Sequence, residues 1–521
     1  MLKKISNLKR HDRGLEKSDW LFIFVGLVAF ATISLWTITK SSFWFDEAFG
    51  AYMIGSFNFI DIARYTATDV HPPLFYWLLK IWSLLFGNSE LALRSLSLFF
   101  GGIAIVFGYL LTNRLFNQKT ARISLIFMVL SPMLIRYSQE ARMYTMVAAI
   151  ALAATFVLTY AINTKKKLPW VIYGILVGLG MWVHYYAAII WIAHFIWRFD
   201  NVRRTAKKGE FRRDLFSKDW MLSFYVAIAV FLPWLPFFIG QSLVVQISGF
   251  WIPPVNLGTP LNFLTNAVYY RDLGDTTAWL AFGIIAAAVF LTVLAYRVYK
   301  SFNITDRQSF RLIMALAFVP IVVLFLISVP IRSTFIDRYL ITSTIGIALF
   351  IGVTLSYGYK YLRIRWRYIL TVFIAILMII GIANVYYLGN YNKNTFDSNQ
   401  TRQIVQAAID KSADNQPIIA ATPWLFFEVV YYASDSHPVY FLEVSDYKYG
   451  SLDMVRYSDN HKITNISTFA KQNPIIWYVG WIGDSDLKAP YPNWKEIQSI
   501  TINDLISGKP EYKAIQFDIS G

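Results

Sequence analysis

Eight apolar runs, at residues 20–39, 92–111, 143–162, 220–239, 277–296, 312–330, 335–356 and 368–388, constrain this chain more than any other feature. Each is long enough, or nearly so, to cross about 30 Å of hydrocarbon as a helix. The composition agrees: of 521 residues, 56% are hydrophobic and 15% charged, proportions that suit a chain solvated largely by lipid. The first run is too long, and too plainly followed by further runs, to be a cleaved signal peptide, so it is expected to be retained as the first helix. There is no cysteine, which excludes structural disulfides, thiolate metal sites and cysteine nucleophiles and mildly favours a bacterial membrane.

The formal net charge of +16 would suggest nucleic acid in a soluble protein. Its placement indicates otherwise. Basic clusters at 3–17, 113–122, 165–167, 198–218, 297–311 and 360–367 fall between apolar runs, as cytoplasmic loops do under the positive-inside rule. Membrane lipids are therefore expected partners, and nucleic acid is not.

Threading the chain so that every basic cluster stays inside requires an even number of crossings between clusters. Residues 123–135 pair with 143–162, and 169–183 pair with 186–197, as short hairpins. The expectation is a polytopic α-helical bundle of about eleven transmembrane helices over 1–389, with outer loops 40–91 and 240–276. Residues 136–144 and 184–186 lie outside. Short, Gly-interrupted helices of this kind usually line an internal cavity. Residues 390–521 differ in character, with 11 Lys or Arg against 15 Asp or Glu and no run of transmembrane length. They read as an extracytoplasmic α/β domain: a helix at 401–410, strands at 416–421, 437–443 and 473–480, and a helix or linker at 492–500.

This topology gathers Asp46, Glu47, Asp69, His71, Lys80, Arg136, Glu140, Arg142, His184, Arg332, Asp337 and Arg338 at one outer surface. Ionisable groups at such depths are costly unless they pair, meet water or bind a charged substrate, so the cluster favours one polar cavity opening outward. In "SSFWFDEAFGAY" (41–52) a carboxylate beside a wet cavity can accept a proton, and Asp46 is the candidate base. Capping of the next helix is the plainer alternative. In "DVHPPL" (69–74) the two prolines allow a helix to begin at Leu74, fixing Asp69 and His71 at its mouth with Lys80 about two turns on. In "RYSQEARMY" (136–144), Gln139 and Arg142 are three apart and can share a helix face, whereas Glu140 and Arg142 cannot. Arginine suits phosphate because its fork makes paired charged hydrogen bonds; a structural ion pair of Arg142 weighs equally. Arg338 is a second cation or a membrane-border residue. His184, Tyr185 and Tyr186 line the site or anchor helix ends at the interface, and Trp251, Pro253 and Pro254 order an outer loop.

The "DE" after the first helix, followed by "DVHPPL", resembles the protein O-mannosyltransferase and aminoarabinose-transferase branch of the polyprenyl-phosphate-sugar-dependent membrane glycosyltransferases. "YSQEARMY" and "RYL" resemble bacterial relatives grouped with glycosyltransferase family 39, and the similarity spans roughly 20–390. It implies a GT-C fold, a polyprenyl-phosphate sugar donor and inverting transfer in a bacterial plasma membrane. Asp46 corresponds to the family's base and Glu47 to a supporting group. Arg142 and Arg338 become phosphate-side cations, and Glu140 orients Arg142 or supports an ion. With Asp69, His71, Lys80, Gln139, His184, Tyr185 and Tyr339 they make up the expected substrate- or phosphate-binding set. A divalent metal ion beside the acidic residues stays open. "FYWLL" after "HPPL" and the lack of an inserted mid-chain domain depart from the protein mannosyltransferases. A lipid, glycan or envelope-polymer acceptor is therefore expected. The alternatives are a protein acceptor or, in place of an enzyme, a lipid or glycan transporter.

Overall fold

The computed structural model describes residues 14–248, 252–330, 333–388, 400–433, 437–442, 461–482, 486–504 and 508–521. The chain forms two compact units: Met1–Trp36 with Arg94–Gly240 and Gly249–Leu388, and Thr37–Leu93 with Gln241–Ser248 and Gly389–Gly521.

The first unit is helical. Among the described residues, eight helices of the chain are long and apolar enough to cross a membrane: Lys17–Leu35, Glu90–Leu115, Tyr144–Ala161, Lys218–Leu243, Ala278–Ser301, Ile304–Ser328, Asp337–Tyr361 and Ile364–Tyr387. This is a multi-pass membrane protein. Gln118–Val129 and Pro132–Ser138 make a ninth if counted as one span, bent by 59°. The bend falls where Pro132 removes an amide donor and drives Ser131 to an extended conformation (φ −67°, ψ 112°). The expected count of about eleven is thus reduced to eight or nine. Its other two segments do form helices, Leu168–Val183 and Ala187–Thr205. The first has only 16 residues, and the second carries Arg198, Asp200, Arg203 and Arg204. Parity counts crossings but takes no account of whether each segment can satisfy the hydrocarbon.

Within the bundle, Asp337–Tyr361 is central, 89% of its apolar window being buried, whereas Ala278–Ser301 is peripheral at 11%. The central helix uses small residues for close approach: a Cβ at Gly346 would lie 2.8 Å from the Ala317 backbone.

In the second unit, residues 40–91 are no open loop. They form the helices Phe45–Ser56, Phe59–Thr68 and Leu74–Phe86. Asn58 starts the second by accepting the amides of Ile60 and Asp61 at 2.9 and 3.0 Å. The third begins after Pro73, as expected. Residues 37–93 group with the C-terminal segment. The cause is an aromatic face. Phe45 meets Trp424 and Phe427 at centroid distances of 4.9 and 5.7 Å, and Phe49 meets Phe427 at 5.6 Å, so Phe45–Ser56 buries its rings on the helix Pro423–Tyr432.

Besides helices, the described residues of this unit form a six-stranded sheet of β1 (Ile418–Ala420), β2 (Val439–Leu442), β3 (Lys462–Ile463), β4 (Ile475–Trp481), β5 (Lys495–Asn503) and β6 (Pro510–Asp518) in the order β3-β2-β1-β4-β6-β5. β1 runs parallel to β2 and β4, and β6 antiparallel to β4 and β5. Ile419, Ile476, Ile515 and Phe517 sit in its core. The expected helix and three strands appear as Thr401–Ile409, β1, β2 and β4. Residues 492–500, expected as helix or linker, instead lie largely in β5. The alternation in "EIQSITIN" matches a pleated strand, and pairing such as Ile500 with Ala514 supplies the ladder.

Candidate functional site

The acidic pair lies in the first turn of Phe45–Ser56, with Trp44 as N-cap. Carboxylates are favoured there by the exposed amides and the helix dipole, although neither of them occupies the cap position itself. The two differ in access: Glu47 is 1% exposed, while Asp46 is half-buried. Further along, Asp69 closes Phe59–Thr68 as its C-cap, and His71 Nδ1 lies 3.3 Å from Asp69 Oδ2. Both side chains are shielded, at 13% exposure for His71 and 7% for Asp69. Lys80 donates from Nζ to the Ile54 carbonyl at 2.6 Å, at the C-terminal end of the acidic helix. Its ammonium is thereby placed on a helix end.

In the first unit, residues 139–143 are a bend between Pro132–Ser138 and Tyr144–Ala161, so the helix face expected for Gln139 and Arg142 does not exist. The chain turns because the first helix stops at Ser138 and the next starts only at Tyr144. Gln139, Glu140 and Arg142 are all nonetheless buried, at 2, 4 and 2% exposure. Ser97 anchors the bend, its hydroxyl donating to the Arg142 carbonyl at 2.8 Å while its own carbonyl accepts Thr145 Oγ1 at 2.8 Å. Glu140 Oε1 binds Arg136 Nη2 at 2.7 Å, so the basic partner seen for Glu140 is Arg136.

Around the bend the structure assembles helix ends that are distant in sequence. His184, the C-cap of Leu168–Val183, packs 4.9 Å from the Tyr339 ring and 6.1 Å from Tyr144. Tyr186 stacks on Tyr339 at 4.4 Å and 16°. Arg338 lies 5.8 Å above the Tyr144 ring and is 7% exposed. Tyr185 instead accepts Trp234 Nε1 at 2.7 Å and packs on Phe238 at 4.7 Å.

Sequence reasoning passed over Asn266, Tyr270 and Asp272. Asn266 Nδ2 donates to Asp337 Oδ2 at 3.0 Å and to Asp272 Oδ1 at 3.1 Å. Tyr270 hydrogen-bonds Arg136, and burial pushes its phenol up to about 12, against the opposing effect of Arg136. It is held in the left-handed region (φ 52°), a conformation a bulky residue rarely adopts. The polar run "NAVYYRDLGD" (266–275) after an apolar stretch was the available signal. Trp251 and Arg332 lie outside the described residues. Among the described residues no three His, Asp or Glu side chains gather as a metal-binding set, and Asp69 with His71 is only a pair. A hydrated divalent ion is often held by one or two carboxylates together with substrate phosphate, and no step below passes through one.

Residues 70–237 match the family model described as dolichyl-phosphate-mannose-protein mannosyltransferase. An undecaprenyl phosphate-alpha-4-amino-4-deoxy-L-arabinose arabinosyl transferase of Pseudomonas savastanoi pv. phaseolicola is 24% identical over 172 residues, which span 31% of this chain and only 30% of that relative. The structure of ArnT from Cupriavidus metallidurans in the apo state superposes with a TM-score of 0.62 at 12% identity, covering 95% of this chain and 97% of that one. The same protein bound to undecaprenyl phosphate gives 0.60 at 12% identity, over 96% and 98% of the two chains. The archaeal oligosaccharyltransferase AglB from Archaeoglobus fulgidus gives 0.53 at 14% identity, over 89% and 69%. The fold is that of the GT-C membrane proteins. The chain shares that fold with ArnT and with AglB, and its residues 70–237 resemble the mannosyltransferase family model.

Proposed function

We propose that the chain is an inverting glycosyltransferase that moves a sugar from a polyprenyl-phosphate donor to a lipid, glycan or envelope-polymer acceptor at the outer face of a bacterial plasma membrane. The observation that carries this reading is the inequality of the acidic pair: Asp46 is half-buried in the first turn of its helix while Glu47 beside it is fully buried. A half-buried carboxylate can meet an acceptor hydroxyl, whereas a fully buried one orients its surroundings. Undecaprenyl phosphate is the carrier we favour, because both the arabinosyl transferase and one ArnT structure carry it in their names.

Asp46 takes the proton of the acceptor hydroxyl as that oxygen bonds to the anomeric carbon. The bond from that carbon to the phosphate oxygen breaks, and its electron pair leaves with the phosphate. Phosphate is already a good leaving group, so one protein carboxylate suffices, unlike the acid and base pair of a glycosidase. In the membrane unit, Arg142 and Arg338 are the cations proposed to bind the phosphate and stabilise the charge it gains.

The test is transfer by the purified chain, offered a panel of undecaprenyl-phosphate sugars and envelope extract, with products read by mass spectrometry. Asp46→Asn should lower turnover roughly 100-fold with folding intact, the scale of a lost general base. Near-normal turnover in a folded D46N chain would remove Asp46 as base. Absence of transfer from every donor would sink the enzymatic reading.

A further inference from the structure

The backbone leading into the acidic helix is gripped at several consecutive residues by groups from the C-terminal segment of the same unit. Arg402, in Thr401–Ile409, donates from Nη2 to the Thr39 carbonyl at 3.0 Å, the Ser41 carbonyl at 3.4 Å and Glu90 Oε2 at 2.5 Å. Its amide donates to Ser42 Oγ at 3.1 Å, and that hydroxyl donates to Gln403 at 3.3 Å. Tyr432 gives its hydroxyl proton to Glu90 Oε1 and accepts the Phe43 amide at 2.6 Å. Phe43 immediately precedes the N-cap Trp44 and stands three residues before Asp46.

We propose that Glu90, Arg402 and Tyr432 are positioning residues for Asp46, and that the C-terminal domain is a working part of the catalytic apparatus. This rests on the reading of Asp46 as base. Glu90 is the joint: one oxygen takes the guanidinium, the other takes the phenol, and the phenol holds the amide that feeds the helix. The Glu90 side chain is 10% exposed and makes charge-assisted bonds, the one to Arg402, itself 38% exposed, being partly screened by solvent. The apolar side of Phe45–Ser56 is already held by Trp424 and Phe427. The polar clamp adds something the rings do not supply. It fixes the backbone of residues 39–43, and so the direction in which the first turn presents its carboxylate. A general base works only within hydrogen-bond reach of its proton, and small misplacements are costly in rate.

Tyr432→Phe and Glu90→Gln in the full chain separate this role from simple support of the fold. Hydrogen exchange should quicken at the amides of residues 43–49 and stay unchanged over β4 and β6. With the donor that the wild-type chain turns over, kcat should fall roughly tenfold to hundredfold while donor KM stays within about twofold. Unchanged exchange at 43–49 would overturn the clamp, whatever Asp46 does. Faster exchange with kcat near the wild-type value would overturn its part in the reaction. An active Asp46→Asn chain would sink the base reading, and with it the link from clamp to chemistry, while the exchange data still report on the clamp itself.

Discussion

Lys80 holds the Ile54 carbonyl at 2.6 Å, and so closes the C-terminal end of the helix whose first turn carries Asp46. A cation on the last carbonyls of a helix satisfies an acceptor and opposes the dipole. Lys80→Met should therefore cost about 1.5 to 3 kcal/mol, the range for a charged hydrogen bond, read as a lower unfolding midpoint. Undecaprenyl phosphate affinity should be unchanged. Lost affinity at an unaltered midpoint would return Lys80 to the donor-binding set.

The Arg136–Glu140 pair, 2.7 Å long with both side chains at 10% exposure or less, leads to a different expectation. Removing one partner of a buried pair strands the other charge, at a cost of about 3 to 5 kcal/mol. Glu140→Ala should be strongly destabilised, and the double change Glu140→Ala with Arg136→Met should recover much of the loss. If the double variant is no more stable than the single, the pair is not what holds this region.

Arg142 distinguishes donor binding from support of the fold. Lysine keeps the charge but loses the planar fork, so Arg142→Lys should weaken undecaprenyl phosphate binding by roughly tenfold, and Arg142→Ala more. Titration of the two variants with that lipid in detergent is the measurement. Unchanged affinity in a well-folded R142A chain would leave Arg338 as the cation to examine.

In the sheet, burial pushes Glu511 from its ordinary 4.5 up to about 7, with the nearby Asp504 adding to the effect. Between those values the folded chain keeps a proton that the unfolded chain has released. Stability from this group accordingly falls as pH rises through the window and is level above it. Comparing unfolding midpoints of wild type and Glu511→Gln at about pH 5 and about pH 8 checks this, since the variant should lose that part of the slope. An identical slope in both would show that Glu511 titrates normally.

What was legible in the sequence was whatever depends on a residue's immediate neighbours. Long apolar runs became membrane-length helices because hydrocarbon tolerates no other use of them, and the start at Leu74 followed from the prolines before it. "DE" and "DVHPPL" pointed to a fold class that the superpositions share. Only the tertiary structure decided the rest. The bend at 139–143 abolished a helix face that spacing alone had suggested, and β5 formed because β6 was there to pair with it. Residues 37–93 joined the C-terminal segment through aromatic rings and through Arg402 and Glu90, 312 positions apart. Hydropathy and charge act locally and can be read along the chain. Which distant donor meets which acceptor depends on how all the helices and strands close together, and no short stretch of sequence carries that information.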